Sequence, residues 1–311
     1  MGNMGKQIAK RIMLVRCCAA LGLAVALAWL PARAQQEAPK QAATQAEEPP
    51  TGKAFASPED AAAALYAAAR RNDEAELRVI LGPNAKQILE WTDDPEERRA
   101  EREFYAQKYD QMHRLVKEPD ETVAIYVGAE NWPLPIPLVE YKGQWYFDAE
   151  LGRMEIMYRR IGRNEMEALE VCRALVEAEK DYYAAAHQYT DRFVSDDGTH
   201  NGLYWKTAVG AEKSPIGPYL AHAGVGGSNE GNRVPYHGYY YRVLKFSSPA
   251  GTATGSFAIL AFPAQYRLSG VRSFLVDQNG EAYEKDFGER TNSLAKENPP
   301  FPPDNTWKKV E

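Results

Sequence analysis

Cysteine is almost missing from this chain. Three occur in 311 residues, and Cys17 and Cys18 fall in a segment that reads as a processing signal, which leaves Cys172 alone. A single thiol closes no internal disulfide, so stability must come from a buried core. Cys172 either pairs between chains or is a small buried hydrophobe, and its helical neighbours favour burial. Catalytic signatures are missing too. No Gly-x-Ser-x-Gly elbow occurs, and no glycine-rich loop links a strand to a helix in the way a phosphate cradle requires. The five histidines lack the tight spacing of a closed or catalytic zinc site. Asp196-Asp197-Gly198-Thr199-His200 lacks the alternating carboxylates and distal glutamate of an EF-hand loop, so it reads as a turn. Long apolar runs are limited to Cys17–Leu30, shorter than the ~20 residues of a spanning helix.

That run has a purpose. Lys6, Lys10, Arg11 and Arg16 precede it and Ala32-Arg33-Ala34 follows, which is the layout of a secretory signal peptide over residues 1–34 cleaved after Ala34. Removing its five cations and no acid takes the net charge from −6 to −11. A mature chain this acidic excludes non-specific binding to nucleic acid or anionic lipid. The expected location is periplasmic or secreted, with no stable membrane span after cleavage. Residues 35–53, rich in Gln, Ala, Glu and Pro, read as a disordered linker.

The remainder divides by pattern into an α+β protein of two modules, 54–151 and 152–311. In the first, Ser57-Pro58-Glu59-Asp60 has a capping residue, a first-turn proline and a closing acid, and opens a helix to Arg71. Asp73 starts a second helix that Gly82 ends; Pro83–Trp91 is a third; Pro95 opens a fourth whose apolar positions run through Leu115 and Val116. The period then drops to two: Thr122–Val127, Leu134–Tyr141 and Gln144–Asp148 form an antiparallel hairpin sheet, with Pro135 and Pro137 on an edge. In the second module, helix from Glu150 is interrupted at Gly152 and Gly162 and recapped by Asn164 and Glu167. It then runs to Tyr189 with Leu169, Cys172, Leu175 and Val176 inward and Glu165, Glu177 and Glu179 among the solvated side. A long glycine-rich connection, 193–233, follows. Pro235–Phe246 is the aromatic strand, expected at the sheet centre. Ser256–Phe262, Val271–Asp277 and Glu281–Asp286 complete the sheet, the last two joined by a type I′ turn at Asn279-Gly280.

Three resemblances arise. The order of helices and then sheet, with Gly143-x-Trp145-x-Phe147, is similar to the cone-shaped fold of ketosteroid isomerase and nuclear transport factor relatives. The set Ser57–Asp60, Trp132–Pro137, Arg160–Glu165, Gly202–Trp205, Tyr236–Arg242 and Asp304–Trp307 resembles DUF2950, a bacterial exported family. That likeness implies a cell-envelope protein and supplies no functional residues. Asn164-Glu165, Gly238–Tyr241, Phe257–Pro263 and Gly270–Gly280 look like the globular part of type IV pilins, in which a helix lies across an antiparallel sheet. A pilin's helix continues upstream as an apolar segment, whereas Arg153, Glu155, Arg159, Arg160 and Arg163 are charged, so only the fold is implied.

Aromatic density marks the candidate site. Tyr236, His237, Tyr239, Arg233, Trp205 and His222 lie at the entry to the aromatic strand and along the glycine-rich connection. Surfaces of this composition suit recognition, with Arg233 and Arg242 able to meet an anion. The expectation is a non-enzymatic module, without cofactor, that binds an envelope protein or small ligand. The alternative is a hydrolase or metal enzyme built on His200, His222 and His237.

Overall fold

The computed structural model describes residues 50–90, 94–207, 213–225, 233–246, 255–295, 297, 299 and 301–310. The signal segment and residues 35–49 of the linker lie outside these. The described chain divides into two compact units, residues 50–159 and 160–310. Among the described residues, no helix is long and apolar enough to cross a membrane.

The first unit begins with helices α1 (Pro58–Arg70), α2 (Glu74–Leu81), α3 (Ala85–Leu89) and α4 (Pro95–Gln111). Their starts follow from local chemistry. Ser57 accepts from the Asp60 amide and Asp73 from the Glu76 amide, so first-turn donors are satisfied. Strands β1 (His113–Lys117), β2 (Val123–Val127), β3 (Trp132–Pro133), β4 (Leu138–Tyr141) and β5 (Gln144–Phe147) form an antiparallel sheet of order β1-β2-β4-β5, with β3 beside β2. Val123, Ile125 and Val127 face inward onto Leu65, Leu77, Ile80 and Phe147.

Three expectations for this unit fail. Leu115 and Val116 belong to β1, because Met112 turns the chain and Leu115 pairs with Ile125. The strand expected over Leu134–Tyr141 starts only at Leu138, since Pro135 and Pro137 cannot donate to a ladder. Residues 51–53, assigned to the linker, are packed: the Lys53 amide donates to the carbonyls of Val79 and Ile80, and Lys53 Nζ sits 2.7 Å from Glu76 Oε1.

The chain division falls within α5 (Ala149–Ala186), a single unbroken helix. Gly152 and Gly162 do not interrupt it; a glycine costs a helix only ~1 kcal/mol, which tertiary packing overrides. The second unit continues with α6 (Pro218–His222), β6 (Tyr239–Phe246), β7 (Ser256–Pro263), β8 (Ser273–Asp277) and β9 (Ala282–Lys285). It ends with a 3-10 turn (Gly288–Arg290), α7 (Thr291–Leu294) and β10 (Lys308–Lys309). Its sheet is an antiparallel meander of order β10-β9-β8-β7-β6. Both faces are covered. Cys172 and Leu175 of α5 share one core with Tyr239, Tyr241, Phe257 and Phe274, while Leu244, Leu260, Leu275 and Trp307 form the other. Hence β7 and β8 read as continuous apolar runs.

The aromatic strand is therefore shorter and further out than expected. It starts at Tyr239 rather than Pro235. It closes the sheet at one end, with β7 on one side and, on the other, an isolated parallel bridge from Tyr241 to Gly224. The described part of the glycine-rich connection is no free loop. Phe193, Leu203, Leu220, Ala221 and Ala223 are all in the core, and a Cβ on Gly224 would lie 1.9 Å from Phe193 Cγ. At Asn279-Gly280 only Gly280 has positive φ (+87°), and its amide bonds to the Asp277 carbonyl. That is a type I turn with a glycine bulge rather than type I′. The Asp277 carboxylate accepts from the amides of Asn279 and Glu281, as a turn-stabilising residue should.

Candidate functional site

Tyr236-His237-Gly238-Tyr239 is a two-residue hairpin turn. Tyr236 and Tyr239 exchange backbone hydrogen bonds at 3.0 and 3.1 Å, and φ is +51° at His237 and +73° at Gly238. Two positive values in a row define the type I′ geometry. Glycine is required at 238 twice over, since a Cβ there would sit 2.5 Å from Asn164 Nδ2.

α5 holds this turn from beneath. His237 Nδ1 lies 2.7 Å from Glu167 Oε2, both side chains about one-third exposed. Asn164 donates to the Ser269 carbonyl, and one oxygen of Glu165 accepts from the amides of both Val271 and Arg272 at 3.0 Å. Tyr239 donates its hydroxyl to the Arg272 carbonyl, and Tyr241 donates to the Tyr236 carbonyl. Three distant stretches, 164–167, 236–241 and 269–272, thus meet at one corner.

The other candidates scatter. Tyr239 is fully buried and burial pushes its phenol up, so it is a core residue. Tyr236 packs on the same core and faces His237 edge-on. Arg233 lies over the Tyr240 ring, 5.6 Å from its centroid. Trp205 stacks on His200 at 4.2 Å. His222, exposed, ends α6, and its carbonyl accepts from the Val234 amide. Arg242 is spent on the carbonyls of Ala295 and Glu297, and burial lowers its guanidinium below the usual range. Among the described residues, no three of His, Cys, Asp and Glu could hold a metal ion, so His200, His222 and His237 form no ligand set. Asp196, weighed as a calcium ligand, is committed to Arg192 and Asn201, and those partners hold its carboxyl below the usual range.

A family model described as a protein of unknown function, DUF2950, matches residues 52–310. The chain belongs to this family. Neither the curated proteins nor the solved structures contain a match, so the pilin and cone-fold likenesses gain no support. The DUF2950 segments noted in the sequence have a physical reading: Asn164, Glu165 and Tyr236–Tyr239 are parts of one hydrogen-bonded corner.

Sequence reasoning missed three features of this DUF2950 chain. Glu167 was read as a helix-start residue, but its partner His237 lies 70 positions away, beyond any local signal. Tyr219 and Val234 are exposed large hydrophobics beside the candidates His222 and Arg233, at 81 % and 61 %, and nothing in their neighbours marks them. Glu179 was read as solvated but is fully buried. Its position did carry a signal: it follows Cys172 by seven and Leu175 by four, on the apolar side of the helix.

Proposed function

We propose that this DUF2950 protein is an exported, non-enzymatic component of the bacterial cell envelope that docks a protein partner through its second unit. The observation that carries the reading is the α6 surface. Tyr219 and His222 are one turn apart, and the Val234 amide bonds to the His222 carbonyl, so exposed Tyr219, His222 and Val234 lie on neighbouring stretches. Their backbone is anchored: Leu220 and Ala221 are buried, and the Val225 amide donates to the Tyr241 carbonyl at 2.7 Å. A rigid aromatic and a branched apolar side chain, rimmed by Arg233, make a low-entropy contact surface. The leader pattern of residues 1–34 supports export.

The test uses the full chain in a bacterial host. Export predicts an envelope-fraction product whose N-terminus is Gln35. A photo-crosslinker at 219 or 234 should give a discrete adduct that one at exposed Glu177 does not. An unprocessed cytoplasmic product, or equal adducts from all three positions, overturns the reading.

A further inference from the structure

Among the described residues of the second unit, Glu179 is the one carboxylate whose surroundings do not fit a charge. It is fully buried on α5, the Thr190 amide donates to its Oε2 at 3.1 Å, and its Oε1 has no hydrogen-bond partner. A carboxylate offers about four acceptor sites and is costly to bury with one of them filled; a neutral carboxyl tolerates an idle oxygen far better.

The chain that supplies the single donor is a strap. α5 ends where the His187 amide bonds to the Tyr183 carbonyl and His187 takes φ +55°. The strap then crosses back over the helix. Tyr189 packs on Phe257 at 4.6 Å, the Thr190 hydroxyl donates to the Asn201 carbonyl, and the Arg192 amide donates to Thr190 Oγ1. Two α5 side chains fasten this strap to the helix: Glu179 through the Thr190 amide, and Tyr183, whose ring lies 4.8 Å from that of Tyr189.

We propose that Glu179 is a proton-operated latch: uncharged, it lies dry beneath the 187–192 strap, and ionised, it needs water that reaches it only when the strap lifts. The charged and titratable groups facing it set the direction. Tyr182, on its own helix, is committed to the His200 carbonyl. Asp191, on the strap, repels an ionised Glu179 and Lys245, on β6, attracts it. Lys245 Nζ is 3.9 Å from Asp191 Oδ1, and both side chains are half-exposed, so that pair is weak and can be broken by a competing carboxylate. Ionisation therefore pushes Asp191 outward and calls for water at Oε1, which loosens the strap; the Thr190 amide and Lys245 pull the other way, and burial outweighs them. Burial pushes the Glu179 carboxyl up to about 8, opposed by the Thr190 amide and Lys245, which places the change in the neutral-to-alkaline range.

The experiment is an NMR titration of the full mature chain, carrying 13C-labelled glutamate and 15N backbone, from pH 5 to pH 10. One glutamate carboxyl should titrate near pH 8, the Thr190 amide should move with the same midpoint, and E179Q should abolish both. Chymotryptic cleavage after Tyr189, normalised to a peptide substrate, should rise up to ~10-fold per pH unit below that midpoint in the wild type and stay flat in E179Q. If every glutamate titrates in the ordinary acid range, or if the Thr190 inflection survives in E179Q, the latch is refuted. Should E179Q fail to fold, the wild type alone decides: carboxyl and amide midpoints that differ refute it as well.

Discussion

Two glutamates on α5 do the same job under opposite conditions. Glu165 and Glu179 each accept backbone amide hydrogens from a segment that crosses the helix. Glu165 takes two, from Val271 and Arg272, and stays in reach of water. Glu179 takes one, from Thr190, in a fully dry site. Where the acceptor is wet and doubly bonded, the contact is a staple resting on two amides. Where it is dry and singly bonded, the same contact becomes conditional on a proton. The lesson is that hydrogen-bond geometry alone does not fix what a carboxylate contributes; the solvent behind it does.

The largest expected effect tests the dry member. An acid whose folded pKa is raised holds its proton more tightly when folded. Its contribution is fully present below the ordinary carboxylate range and is lost as pH rises through the folded value of about 8. The difference in unfolding free energy between the wild type and E179Q should therefore shift by up to ~1.4 kcal/mol per pH unit between roughly pH 5 and 8, with the variant gaining. Urea unfolding at pH 5.5, 7 and 8.5 reads this directly. Parallel curves for the two proteins would mean that Glu179 is solvated after all, and the contrast with Glu165 would disappear.

The wet member should show a loss set by its two amides. Glu165→Ala strands both and removes two charge-assisted bonds, for about 2–3 kcal/mol in urea at pH 7. Asn164→Ala, which removes a single neutral bond to the Ser269 carbonyl, should cost about 1 kcal/mol. If Glu165→Ala costs no more than Asn164→Ala, the corner is not held by its carboxylate.

The same contrast explains what the sequence could and could not reveal. Caps at Ser57 and Asp73, the alternation of Val123, Ile125 and Val127, and the unbroken run of β7 were legible because each is a local pattern with one physical cause. Glu179 was legible in principle, for its helical position is apolar, but its residue type points to solvent. The strand start was misplaced because Tyr236 and His237 suit a strand by composition, while the turn is set by His237 and Gly238 adopting positive φ above Asn164. The glycine-rich connection had no period to read. Phe193, Leu203 and Ala223 are buried by contacts with α5 and β6, which no window of sequence contains. Of the six candidate site residues, only Tyr236, His237 and Tyr239 share one corner by direct bonds, and its partner Glu167 came from a different part of the chain.

His237 supplies the smallest and sharpest test. It holds two opposing terms: a 2.7 Å contact of its Nδ1 with Glu167 Oε2, about one-third exposed, and a non-glycine residue at φ +51°. A partly wet pair of this kind is worth about 0–1 kcal/mol. Holding a side chain in the left-handed region costs about 1 kcal/mol, which glycine does not pay. His237→Gly should therefore leave stability within ~0.5 kcal/mol of the wild type, and His237→Ala, which loses the pair and keeps the strain, should be worse than His237→Gly by ~1 kcal/mol. The order is the informative part, because glycine is usually the more damaging of the two. If His237→Gly instead costs more than ~2 kcal/mol, the pair behaves as a buried one. The wet end of α5 would then differ from the dry end in number of bonds only, and solvent would no longer be what separates Glu165 from Glu179.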